Sequence, residues 1–172
     1  MLSREWWSAG GRYGLVLKES VLAELVRRCG DSGGKETGGI LVGHYSESRD
    51  CAFVTDLGPE TSDSERGWTT FRRGVRGLQR WLNAQWEGKS RYYLGEWHYH
   101  PSASPTPSPA DLNQMRSISE SSSYCCPEPV LLIVGGDLRR GMPASAHVFP
   151  RGHAPIELVR SSLRPNDYVA EG

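Results

Sequence analysis

The stretch from Tyr92 to Asp111, YYLGEWHYHPSASPTPSPAD, constrains this chain more than any other. Its first half is aromatic-rich and reads as a β-strand. The segment PSASPTPSP cannot continue a ladder, because its prolines lack the N–H that pairing needs. The chain must therefore turn. Ser108 as N-cap, Pro109 at the first helical position and Asp111 in the first turn then start a helix, with Leu112, Met115 and Ile118 on its inward face. A strand, a proline-rich turn and a helix follow one another in a fixed order.

On that strand His98 and His100 are two residues apart, so both imidazoles project from one face while Trp97 and Tyr99 point to the other. The turn can fold Asp111 back toward them. A bare H-x-H is more often a pair of ordinary histidines; the serine and aspartate that follow make it a metal-site pattern. Two imidazoles and one carboxylate leave a fourth tetrahedral position open for water, the arrangement of a catalytic zinc site with one Zn2+ per chain. Zinc lowers the pKa of its water to ~7, but hydrolysis still requires a base to carry the proton to the leaving nitrogen. Glu36 is the first candidate, at the start of the glycine-rich strand ETGGILVGHY, provided that strand lies beside YYLGEWHYH. Glu96 is the rival, although it shares the metal face of the strand with His98. Two roles compete for the Ser108 hydroxyl: cap of the helix and donor to an oxyanion.

The remaining pattern is that of a mixed α/β domain. Tyr13 to Lys18 reads as a strand, and Ser20 as the cap of a helix that places Leu22, Leu25, Val26 and Cys29 on one face before Gly30 ends it. CAFVTDL reads as the hairpin partner of ETGGILVGHY. Residues 58–70 are polar and turn-rich, an exposed insertion suited to touching substrate. A second helix carries Val75, Leu78, Trp81, Leu82 and Trp86 as an apolar stripe closed by Gly88, with its aromatics expected in the core. On its other side Arg73, Arg76 and Arg80, with Arg72 adjacent, are either a basic patch or, as the better reading, a solvated helix face. VLLIVGG and ASAHVFP read as a buried strand and its antiparallel neighbour. Residues 161–172 read as a loose tail, and residues 1–172 as one domain. His44, His147 and His153 have no partner at ligand spacing.

The 172 residues are 37% hydrophobic, enough for one core. Twenty basic residues balance twenty acidic ones, so no global field draws the chain to nucleic acid or an anionic membrane. No stretch approaches the roughly 20 apolar residues of a spanning helix, and the N-terminus has no signal-like apolar run, which reads as a cytoplasmic protein. Cys29, Cys51, Cys125 and Cys126 lack C-x-x-C spacing and are expected to be reduced thiols.

Glu36 with T-G-G-I-L-V-G, then His98-Tyr99-His100-Pro101, six residues, Ser108, two residues and Asp111, matches the JAMM motif in residue type and spacing. From about Tyr13 to Pro150 the chain resembles the JAB/MPN metallopeptidase family. That resemblance implies a JAB/MPN fold, a mixed sheet flanked by helices and related to the cytidine deaminase-like fold. It also implies zinc on His98, His100 and Asp111, with Glu36 as general base and Ser108 as oxyanion stabiliser. The segments Gly95 to Pro101 and Pro105 to Asp111 are similar to those of compact prokaryotic JAB proteins associated with anti-phage operons, including the CBASS type, alongside E1-like and E2-like partners. The implied activity is hydrolysis of the bond after the C-terminus of a ubiquitin or ubiquitin-like protein. Tyr99 stands where Ser or Thr is common in the family.

Three other functions compete. A JAB peptidase that processes a small sulfur-carrier protein would use the same chemistry. A non-catalytic MPN scaffold would usually lack a ligand or the base, and here all are present. A RadC-like, DNA-associated role is disfavoured by the zero net charge. The H-x-E with P-C-x-x-C pattern of base deaminases and the H-E-x-x-H of helix-borne zinc sites are both absent.

Overall fold

Residues 3–161 are described by the computed structural model. In chain order the elements are β1 (Arg4–Trp7), β2 (Gly14–Leu17), α1 (Glu19–Asp31), β3 (Thr37–Tyr45), β4 (Cys51–Leu57), β5 (Glu65–Arg66), β6 (Phe71–Arg72), α2 (Leu78–Lys89), β7 (Tyr92–Pro101), α3 (Pro109–Glu120), β8 (Val130–Gly136), β9 (Ala144–Val148) and β10 (Ile156–Arg160). The expected mixed α/β architecture is present, and its sheet closes on itself in the order β1-β10-β9-β8-β7-β3-β4-β2, with β2 returning to β1. Closure leaves this sheet no open edge. β1 and β10, which complete the ring, are not anticipated from the sequence. The two parallel pairs, β2 with β4 and β7 with β8, each need a long crossover, and these contain α1 and α3 respectively.

Apolar side chains divide into two clusters. The larger draws on all eight strands of the ring and on α1, and includes Trp6, Leu15, Leu41, Val54, Leu94, Trp97, Leu132, Ala146 and Leu158. The second joins α2 and α3 to the other face of the sheet through Leu78, Met115, Ile118, Ile40 and Leu131. Along β7 the assignment changes parity: Leu94 and Trp97, three apart, lie in the same cluster, whereas Tyr93 lies in the other. Gly95 explains this. The β3–β7 register shifts there, Gly95 has φ 153°, and a Cβ on it would fall 1.9 Å from the Val130 carbonyl oxygen. Only glycine admits that bulge.

The helices depart from expectation in detail. Lys18, not Ser20, is the N-cap of α1, and its carbonyl accepts from the Val21 and Leu22 N–H groups, so Ser20 lies inside the helix. The helix passes through Gly30 and stops at Asp31, just before Gly33 and Gly34 take left-handed φ values of 64° and 78°. Val21, Leu25 and Cys29 form its buried face with Leu22 alongside; Val26 is exposed. α2 starts later than the apolar stripe implied, because Asp63 accepts from the Val75 and Arg76 N–H groups and holds them in a turn, and Gly77 is left-handed. Val75 is therefore 66% exposed instead of in the core; Trp86, inside the helix, is also exposed, at 58%, and Gly88 does not end the helix, which continues to Lys89. The thiols are free, three buried and Cys125 exposed. Apart from Ser161, the expected tail at 161–172 lies outside the described residues. Among the described residues no helix is long and apolar enough to cross a membrane.

Candidate metal centre

The expected neighbour relation holds: β3 pairs antiparallel with β7, setting Thr37 opposite Tyr99 and Gly38 opposite His98. Glu36 immediately precedes Thr37, at the end of the sheet where His100 emerges. Its N–H donates to the Gly67 carbonyl at 2.8 Å, so the exposed 58–70 segment helps hold the strand end. Burial raises the Glu36 carboxyl above the usual carboxylate range, with the nearby Asp111 adding to the effect and His100 and His98 opposing it.

The proline-rich turn is pinned against β8 and β9. The Gly136 N–H donates to the Ala103 carbonyl at 2.7 Å, and the Ser145 hydroxyl donates to the Pro105 carbonyl. A Cβ on Gly135 would meet the Ala103 oxygen at 2.6 Å and the Pro105 nitrogen at 2.7 Å, so the turn lies directly on a bare backbone. The Gly135-Gly136 pair of VLLIVGG was the available sequence signal for this contact. With the turn held down, α3 starts beside the histidines.

His98, His100 and Asp111 come together with one potential ligand atom from each within 4.8 Å of the others. His98 Nδ1 lies 2.7 Å from Asp111 Oδ1, and His100 Nε2 lies 3.7 Å from Asp111 Oδ2. Burial pulls the His98 imidazole down, but Asp111 and Glu96 outweigh it and bring the group up to about 9. Burial likewise pushes Asp111 up, while His98 and the Ser108 N–H more than offset it and hold the carboxyl at about 2. Two imidazoles and an ionised carboxylate, converging with His98 and Asp111 buried and His100 partly so, and with a further carboxylate beside them, fit a divalent zinc-like ion by donor type and by number.

Ser108 forms a reciprocal capping box with Asp111. The Ser108 N–H donates to Asp111 Oδ2 at 2.7 Å, and the Asp111 N–H donates to Ser108 Oγ at 3.2 Å. The two roles weighed for Ser108 are compatible, since an oxygen that accepts as a cap still has its own O–H to donate.

Glu96 is fully buried and engaged. Its Oε1 accepts from Arg73 Nε at 3.1 Å, Arg73 Nη2 at 2.9 Å and the Tyr93 hydroxyl at 3.4 Å, while its Oε2 accepts from Gln114 Nε2 at 3.2 Å. Burial pushes its carboxyl up, but His98 and Arg73 overcome this and lower it. Such a carboxylate is poorly placed to cycle a proton. Arg73 itself corrects the solvated-face reading: it precedes α2, follows β6 and is buried on Glu96, so Arg72, Arg73, Arg76 and Arg80 do not form one helix face. Phe71, also unanticipated, meets the His98 ring edge-on at 5.6 Å between centroids. Tyr99 points away from the site into the larger core cluster, so the residue between the two histidines is a packing residue. His44 stacks on Phe53, far in sequence from the ligand set.

Comparison with known proteins gives the family of this fold. A family model described as prokaryotic homologs of the JAB domain matches residues 18–147. The chain is 46% identical over 151 residues to the "CD-NTase/cGAS isopeptidase" of Enterobacter hormaechei subsp. hoffmannii (strain UCI 50), spanning 88% of this chain and 83% of that protein. It is 27% identical over 130 residues to the "Probable metalloprotease y4qB" of Sinorhizobium fredii (strain NBRC 101917 / NGR234), spanning 74% and 79% of the two chains. The solution structure of protein DSY2949 from Desulfitobacterium hafniense has the same fold, with a TM-score of 0.60 at 16% identity over 84% of this chain and 88% of that one. With its family segment running from the start of α1 into β9 and enclosing the whole site, the chain belongs to the prokaryotic JAB-domain family.

Proposed function

We propose that this protein is a zinc-dependent isopeptidase that hydrolyses the bond after the C-terminus of a ubiquitin-like protein, releasing it from a conjugate or maturing its end. The observation that carries the reading is the convergence of His98, His100 and Asp111 beside Glu36 at one end of the β3–β7 pair. In this reading the three residues hold one zinc, which supplies Lewis acidity and lowers the pKa of a water to ~7. Glu36, with its proton affinity raised by burial, takes the proton from the attacking water and delivers it to the departing amine nitrogen. Ser108 turns its O–H to the carbonyl oxygen as charge builds on it. The products are a carboxylate on the ubiquitin-like protein and a free amine on its former partner.

The relative at 46% identity is named for CD-NTase/cGAS, so a nucleotidyltransferase of that kind is the conjugate partner we favour, in an anti-phage setting with E1-like and E2-like enzymes. A scaffold role is disfavoured because Glu36, His98, His100 and Asp111, the residues a catalytic reading requires, all stand at the same end of the sheet.

The test is zinc content together with cleavage of an isopeptide-linked ubiquitin-like conjugate. Wild type is expected to hold one zinc per chain and cleave. Glu36→Gln should keep the zinc and lose ~10²–10⁴-fold in rate. Cleavage at the wild-type rate by Glu36→Gln would refute the assignment of the base, and His98→Ala holding zinc as well as wild type would refute the ligand set.

A further inference from the structure

Glu96 and Arg73 form the one ion pair whose two side chains are both more than nine-tenths buried among the described residues that this reaction leaves without a task. Burying two charges is costly, and replacing such a pair with apolar side chains is often neutral or stabilising. Its position gives it a use. His98 presents Nδ1 to Asp111, and its other ring nitrogen, Nε2, faces Glu96 Oε2 at 3.8 Å. That separation is an ion-pair distance and not yet a hydrogen bond. A histidine that ligates a metal through one nitrogen usually donates its second N–H to a carboxylate or carbonyl, which fixes the ring and raises its basicity.

We propose that Glu96, anchored by Arg73, is a positioning residue that orients His98 for the metal and tightens metal binding. The proposal rests on the reading of His98 as a ligand. Arg73 grips Glu96 Oε1 through two nitrogens and Gln114, from α3, holds Oε2, so the carboxylate has little freedom to turn away from His98. Arg73 also lies directly beyond the β5–β6 hairpin, whose Phe71 contacts the same imidazole on its edge. Two residues at the base of the exposed 58–72 segment thus bear on one metal histidine, Phe71 directly and Arg73 through Glu96. The seating of that segment and the shape of the metal site are thereby coupled.

The experiment measures Zn2+ affinity by competition with a chromophoric chelator, alongside the thermal melt of the metal-stripped protein, for wild type, Glu96→Gln and His98→Ala. Glu96→Gln keeps the shape and the Gln114 contact region but removes the charge. It is expected to bind Zn2+ 10- to 100-fold more weakly than wild type. A Glu96→Gln protein that melts lower yet binds Zn2+ within twofold of wild type would overturn the proposal, because the pair would then serve the fold alone. If Glu96→Gln does not fold, the R73Q/E96Q variant, which removes both charges, is judged by the same comparison. Loss of Zn2+ in His98→Ala with wild-type affinity in Glu96→Gln would defeat only the positioning role. Equal Zn2+ binding by His98→Ala and wild type would defeat the ligand reading and this proposal together.

Discussion

Gly38 stands opposite His98 across the β3–β7 pair, and a Cβ placed on it would lie 2.4 Å from the Trp97 carbonyl oxygen and 2.9 Å from His98 Cδ2. The absent side chain lets the strand bearing Glu36 lie close against the strand bearing the histidines. Phe71 closes over the same spot, 2.8 Å from that Cβ position. Gly38→Ala is therefore expected to cost about 1–3 kcal/mol, as overpacking does, and to lower zinc affinity by displacing His98. Urea unfolding and chelator competition would measure the two effects; an alanine accepted without either would mean that this close approach is not needed.

Ser108 separates its two roles by substitution. Ser108→Ala removes the cap and the donor together, and should cost about 1 kcal/mol of stability and ~10²–10³-fold in kcat. Ser108→Thr keeps the hydroxyl and should recover most of both. If alanine lowers the melting temperature and leaves kcat intact, the hydroxyl is a cap and nothing more.

The proton on His98 makes the stripped protein lose stability with rising pH while the metal-loaded protein, whose ring is neutral in both the folded and unfolded states, stays level above pH 6.5. Its folded-state pKa, about 9, lies above the ordinary histidine value of 6.5. The protonated imidazole therefore stabilises the metal-stripped fold fully below pH ~6.5, and that contribution is lost as pH rises through about 9. Zinc needs the neutral ring, so its apparent affinity should climb by about tenfold per pH unit over the same window and then level off. Melting curves of stripped and zinc-loaded protein between pH 6.5 and 9 should diverge. Parallel curves would show that no proton is displaced.

Two tryptophans should respond to truncation to very different extents. Trp97 is wholly buried in the larger core, and Trp97→Ala is expected to cost about 3–5 kcal/mol. Trp86 is 58% exposed at the rim of a groove of about 390 Å³ beside α2, and Trp86→Ala should change stability by less than about 1 kcal/mol. Chemical denaturation of the two variants checks both.

The sequence alone picked out the residues that form the candidate site. Strand period two put His98 and His100 on one side with Tyr99 turned away, and capping rules placed Ser108 and Asp111 at the start of α3. Both regularities are local, acting over a few residues, so they are readable without a fold. Glu36 is legible as the carboxylate that opens a glycine-rich strand, but the pairing that brings it to the histidines belongs to tertiary structure. So does the fate of Arg73, read as solvated and found buried on Glu96, and of Trp86, read as core and found at a groove rim. The ring closed by β1 and β10, the bulge at Gly95 and the seat of the proline turn on Gly135 were likewise decided by contacts between segments far apart in the chain. Those contacts depend on which surfaces remain for the chain to bury once the sheet has closed, and no window of neighbouring residues contains that information.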